Sequence, residues 1–177
     1  IQSSPALGDI DNDGIMEVIF SANDYYVYVL DGQTGSLEWR YYTESGGWVA
    51  SSSPSLGDID NDDKLEVVVG SDSGYIYALN GEDGSLLWKV YISNDADSTP
   101  VIADVNNDGY LEVVVGSDIR YAEGYNTLYC LSGLNGSSLW TANLGYGTTE
   151  ANSPAVGDVD NDGIPEIFIA VTKSIDQ

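Results

Sequence analysis

Four short segments carry most of the chemistry this sequence offers. They read Gly8-Asp9-Ile10-Asp11-Asn12-Asp13-Gly14, Gly57-Asp58-Ile59-Asp60-Asn61-Asp62-Asp63, Ala103-Asp104-Val105-Asn106-Asn107-Asp108-Gly109 and Gly157-Asp158-Val159-Asp160-Asn161-Asp162-Gly163. Each sets oxygen-bearing side chains at relative positions 1, 3 and 5 and a glutamate at position 9. The sets are Asp9, Asp11, Asp13 and Glu17; Asp58, Asp60, Asp62 and Glu66; Asp104, Asn106, Asp108 and Glu112; Asp158, Asp160, Asp162 and Glu166. A backbone carbonyl at position 7, from Ile15, Lys64, Tyr110 or Ile164, would complete each cage together with water. An all-oxygen, multiply charged, flexible donor set suits a hard cation of Ca²⁺ size. Mg²⁺ demands a tighter octahedron, and Zn²⁺ prefers nitrogen and sulfur. Up to four calcium ions are expected. Glycine at position 6 allows the sharp reversal that aims the acids inward. Asp63 stands there in the second loop, and Asn106 removes one charge from the third, so loops one and four should bind tightest.

A single Asp-Asn-Asp-Gly would read equally well as a polar turn. Four copies, each with glutamate at the same offset, favour a metal loop. Carboxylates that converge without a cation repel one another, so ion binding should appear as folding stability.

The elements that position these loops recur with them. The first loop aspartates lie 49, 46 and 54 residues apart. Each loop is preceded by Ser4-Pro5, Ser53-Pro54, Thr99-Pro100 or Ser153-Pro154, and followed by an apolar run such as Glu66-Val67-Val68-Val69. Downstream lies a second repeated element, Val29 to Trp39, with equivalents at Ala78 to Trp88 and Cys130 to Trp140. The glutamate at position 9 begins an apolar strand, so the loop joins two strands and is no helix–loop–helix. Each repeat holds four short Val/Ile/Tyr/Leu runs punctuated by Gly, Asp, Asn and Ser. In the second repeat they are Ser55-Leu56-Gly57, Leu65 to Gly70, Tyr75 to Leu79 and Leu86 to Ile92. Four strands per ~40–50-residue repeat is the pattern of a propeller blade. The expected fold is all-β: four-stranded antiparallel blades, three complete and half of a fourth, in one segment spanning 1–177. The repeats fall near 1–49, 50–97, 98–149 and 150–177. Propellers close with ~4–8 blades, so further blades from this or another chain are expected to complete the ring.

Trp39, Trp88 and Trp140 recur once per repeat and are expected to pack between blades. Cys130 aligns with Val29 and Ala78, as a small core residue should. Trp48 breaks the period, and Tyr41, Tyr42, Tyr121, Tyr125 and Tyr146 sit near blade ends; they read first as surface and half-buried strand tyrosines, with stacking on sugars or contact with a protein partner as the alternative.

Charge narrows the function. The net charge is −24, from 29 acids against five bases, and histidine is absent. Nucleic acid is excluded as a partner for want of a basic face, and histidine-based catalysis is impossible. No apolar run approaches the ~20 residues that span a bilayer, so direct membrane insertion is not expected. Ile1-Gln2-Ser3-Ser4-Pro5 does not read as a signal peptide. Ligand positions hold 15 of the 29 acids, and four Ca²⁺ would cut the net charge to −16.

The loops and their flanking strands resemble the FG-GAP (VCBS-type) repeats of integrin-like β-propellers. The Val29–Trp39 element is similar to the tryptophan-docking motif of PQQ-like propellers. The resemblance implies a calcium-stabilised propeller, commonly extracellular, used for adhesion or for binding a protein or carbohydrate ligand. Location outside the cell or at its surface also follows from calcium, which fills such loops readily there and poorly in resting cytosol. Two alternatives stand beside this. One is part of a propeller enzyme, a quinoprotein dehydrogenase or polysaccharide-active protein, although no catalytic constellation is present in this segment. The other is a structural subunit of a surface layer or filament.

Overall fold

Alternating and continuous apolar runs divide the chain into strands, and the turn residues between them fix the order. The computed structural model describes residues 3–43, 52–92, 95–117, 126–145 and 153–170. The first sheet is β1 (Ala6–Gly8), β2 (Glu17–Ser21), β3 (Tyr26–Asp31) and β4 (Leu37–Tyr42). The second is β5 (Ser55–Gly57), β6 (Glu66–Gly70), β7 (Tyr75–Leu79) and β8 (Leu86–Tyr91), within one residue of the boundaries expected from sequence. The third is β9 (Val101–Ala103), β10 (Glu112–Ser117), β11 (Asn126–Ser132) and β12 (Ser138–Gly145); β13 (Ala155–Gly157) and β14 (Glu166–Phe168) pair as a fourth. Every sheet is an antiparallel meander in chain order. The fold is thus all-β, built of propeller blades. The short first strands β1, β5, β9 and β13 lie beside one another in sequence. Among the described residues no helix is long and apolar enough to cross a membrane.

Sheet stacking explains the apolar runs. All five residues of β6 and all six of β10 are buried, because these strands sit between two neighbouring sheets. One core joins Ile19, Val27, Val29 and Trp39 of the first sheet to Val67, Val69, Tyr77 and Leu79 of the second. The next joins Val68, Ile76, Ala78 and Trp88 to Val113, Val115 and Leu131. A third contains Val114, Leu128 and Cys130, with Ile167 and Ile169 against it. Cys130 is fully buried, and burial pushes its thiol up to about 12.

Two tryptophans fasten the first sheet to the second and the second to the third. Trp39 Nε1 donates to the Gly81 carbonyl at 2.7 Å, and Trp88 Nε1 donates to that of Gly133 at 2.6 Å. The rings lie on Gly84 and Gly136, both at positive φ (70° and 71°), where an added Cβ would come within 2.6 and 2.7 Å of ring carbon. Glycine is therefore required twice over, for backbone sign and for space. The register shifts beside each tryptophan: Val29 faces Trp39 but Leu30 faces Leu37, and the other two blades do the same at Ala78 and Cys130. Such bulges re-aim side chains. Trp39 and Trp88 are 9% and 8% exposed, and Trp140 is 39% exposed.

The recurrent Ser/Thr-Pro pairs have a structural reason as well. The Ser4 N–H donates to Ser53 Oγ at 3.0 Å, the Ser53 N–H to Thr99 Oγ1 at 3.2 Å, and the Thr99 N–H to Ser153 Oγ at 3.1 Å. One hydroxyl per repeat thus carries a hydrogen bond from blade to blade.

Candidate metal centres

Each aspartate loop connects the first two strands of a sheet, and its shape is set by two left-handed residues. Position 4 is Asn12, Asn61, Asn107 or Asn161, with φ between 59° and 64°. Position 6 is Gly14, Gly109 or Gly163 at φ 87–89°, and Asp63 adopts the same turn at φ 70°. Asparagine and aspartate tolerate this region better than most residues. The left-handed asparagine was not anticipated from the sequence, although its recurrence at one position in four loops was a readable signal.

The loop backbone bonds to its own acids. The position-6 N–H donates to the first aspartate's Oδ2 in all four loops: Gly14 to Asp9, Asp63 to Asp58, Gly109 to Asp104 and Gly163 to Asp158, at 2.9–3.0 Å. The position-7 residues Ile15, Lys64, Tyr110 and Ile164 donate N–H bonds to Asp13, Asp62, Asp108 and Asp162. These bonds hold the carboxylates in a ring. Asp9, Asp11 and Asp13 bring carboxylate oxygens within 4.8 Å of one another; Asp58, Asp60 and Asp62 do the same, as do Asp158, Asp160 and Glu166. The third loop gathers fewer carboxylates because Asn106 replaces one; its Oδ1 accepts the Asp108 N–H at 2.8 Å, as Asp11 and Asp160 accept the equivalent N–H, while its Nδ2 donates to Glu112 Oε1 at 3.3 Å.

The glutamate at position 9 closes the loop from below. Oε2 of Glu17, Glu66, Glu112 and Glu166 accepts the N–H of Ile10, Ile59, Val105 and Val159, at 2.8–3.0 Å. Glu17, Glu66 and Glu112 are buried. Burial raises the carboxyl pKa of all three, the backbone N–H opposes it, and the neighbouring aspartates raise it further. Glu66 is pushed up to about 7. Asp60 is also raised, first by burial and then by Asp62 and Asp58.

The donor set fits a hard cation. Oδ1 of Asp9 and Oδ1 of Asp60 are buried and accept no hydrogen bond. A buried carboxylate oxygen without a proton donor is costly unless a cation faces it. Every side-chain donor in the cages is oxygen.

A fourth acidic group, not anticipated from sequence, lies at the other end of β6. Asp72, in the β6–β7 turn, meets Asp95 and Asp97 from the linker before β9, again within 4.8 Å. Asp95 and Asp97 stand where the preceding linker carries Val49 and Ser51, a departure from the repeat that was visible in the sequence. Among the aromatics, Tyr41 packs against Tyr77 of the next sheet at 6.0 Å, whereas Tyr42 is 44% exposed. Trp48, Tyr121, Tyr125 and Tyr146 lie outside the described residues.

The FG-GAP-like repeat family matches residues 9–69, 58–115 and 104–169. Each match starts at the first aspartate of one loop and ends in the apolar run after the next. No curated protein matches the chain in sequence. Among solved structures, the fold is similar to the C-terminal domain of PilY1 from Pseudomonas aeruginosa (TM-score 0.66, 19% identity, 86% of this chain and 35% of that one). It is also similar to BamB from Moraxella catarrhalis (TM-score 0.60, 21% identity, 88% and 45%). A third is the quinohemoprotein alcohol dehydrogenase from Comamonas testosteroni (TM-score 0.62, 18% identity, 85% and 22%). The chain spans less than half the length of each.

Proposed function

Since the chain belongs to the FG-GAP-like repeat family, we propose that it is a calcium-stabilised segment of an extracellular propeller that serves as an interaction scaffold. The observation that carries the calcium reading is the fourfold loop. Carboxylates converge in the first, second and fourth loops, and in the first three loops a buried glutamate lies beside them whose ionisation burial opposes. Asp9, Asp11 and Asp13, and their equivalents in the other loops, would hold the ion, with the carbonyls of Ile15, Lys64, Tyr110 and Ile164 and with water. The ion would offset the mutual repulsion of the carboxylates and so add directly to blade stability.

The scaffold reading follows from where the acids are spent. More than half of them occupy the loops, and histidine is absent, which leaves little for acid–base catalysis. A further blade is a fitting partner for the outer face of the first sheet. There Phe20, Tyr28, Tyr26 and Tyr42 form a chain of ring contacts at 5.2–5.9 Å, with Arg40 over Tyr26. The equivalent tyrosine of the second sheet, Tyr77, is buried beneath the preceding blade. Extracellular placement is supported by the calcium supply there.

Thermal unfolding in millimolar calcium and in chelator tests the reading. Calcium should raise the midpoint and protease resistance together. Equal stability in both conditions overturns it. Proteolysis of intact cells tests the placement, since a surface protein is cut and an internal one is spared.

A further inference from the structure

Neighbouring loops are joined in two pairs. Asn12, between Asp11 and Asp13, donates through Nδ2 to the carbonyl of Asp63 at 2.9 Å. That carbonyl belongs to the peptide joining Asp63 to Lys64, whose N–H donates to Asp62 Oδ1 at 3.0 Å. The N–H of Asp63 itself donates to Asp58 Oδ2 at 3.0 Å. One peptide of the second loop is therefore held between the first loop's asparagine and its own candidate ligand. The third and fourth loops repeat the arrangement. Asn107 Nδ2 donates to the Gly163 carbonyl at 2.5 Å, the Ile164 N–H to Asp162 Oδ1 at 2.8 Å, and the Gly163 N–H to Asp158 Oδ2 at 3.0 Å. Among the described residues Asn61 forms no matching bond to Gly109.

We propose that the loops fill as two coupled pairs, first with second and third with fourth, and that Asn12 and Asn107 are the couplers. This rests on the calcium reading of the same loops. An ion that fixes Asp11 and Asp13 also fixes the residue between them. Asn12 then holds the Asp63–Lys64 peptide in the orientation that presents its N–H to Asp62. The second loop enters its own binding event already partly ordered, so less conformational entropy remains to be lost. A neutral hydrogen bond of ordinary net strength corresponds to about a fivefold change in equilibrium. By linkage the effect is reciprocal: an ion in the second loop strengthens the first by the same factor. The second and third loops, lacking the bond, fill independently.

A calcium titration followed through the backbone amide signals of Gly14, Asp63, Gly109 and Gly163 tests this, because each signal reports its own loop. Asp11→Ala disables the first loop. The calcium midpoint at Asp63 should then rise about fivefold, while the midpoints at Gly109 and Gly163 stay in place. Asn12→Gly, which accommodates the left-handed backbone, should raise the Asp63 midpoint similarly, and adding Asp11→Ala should shift it no further. Asn107→Gly should act on Gly163 alone. The proposal is overturned if Asp11→Ala leaves the Asp63 midpoint unmoved, if it shifts all three remaining midpoints alike, or if the two substitutions add. Failure of the underlying calcium reading looks different: none of the four signals would move with calcium in the unaltered protein, and the coupling would fall with it.

Discussion

Replacing Glu66 with glutamine should stabilise the protein without calcium and destabilise it with calcium. Glu66 is 1% exposed and its Oε2 accepts the Ile59 N–H, a bond that a glutamine carbonyl can keep. Burial raises its carboxyl from 4.5 to about 7, helped by Asp60, Asp62 and Asp58 and opposed by the Ile59 N–H. The folded, cation-free protein therefore holds this proton more tightly than the unfolded chain does. Its stability is greatest below the unfolded value and falls as pH rises from 4.5 through 7. The gap corresponds to about 3 kcal/mol of lost stability once both states are ionised. Glu66→Gln removes that cost, so in chelator near pH 8 the variant should gain up to about 3 kcal/mol, shrinking toward zero near pH 5. In saturating calcium the sign reverses, because the cage has lost a charge that faces the ion. Urea unfolding followed by the fluorescence of buried Trp39 and Trp88 measures parent and variant in each of these three conditions. A variant that is less stable than the parent in chelator near pH 8 would refute the reasoning.

Other substitutions probe the blade contacts. Trp88→Ala should cost about 3–5 kcal/mol in urea unfolding, whereas Trp140→Ala, at a partly exposed ring, should cost only about 1 kcal/mol. Gly136→Ala should destabilise by about 2 kcal/mol, since its Cβ meets the Trp88 ring at a left-handed backbone. Thr99→Val removes the acceptor of the Ser53 N–H and should cost about 1 kcal/mol by the same assay. Cys130, fully buried with its thiol pushed up to about 12, should react with thiol reagents only as fast as the protein unfolds.

The strands were legible in the sequence because their signals are local. In the second repeat the Val-Val-Val run, the alternation of Tyr75 to Leu79 and the intervening turn residues placed four strands within a residue of their ends. The loops were legible because their acids fall on a fixed spacing. What escaped lies between repeats. Ser53 and Thr99 are ordinary turn residues until the next blade supplies their N–H partner, and Asn12 meets Asp63 only across 51 residues of sequence. The closing bond from the Ile10 N–H to Glu17 is equally hidden, since a glutamate at position 9 has the same residue type whether it ligates an ion or accepts a backbone N–H. The bulge that turns Trp39 toward Gly81 leaves no mark in residue types, because it is a shift of pairing rather than of composition.

Calorimetric titration of the cation-free protein with calcium addresses the metal loops most directly. Four ions should bind per chain at millimolar calcium or below, with the loop containing Asn106 among the weakest. A chain that takes up no calcium at millimolar concentration would contradict the account.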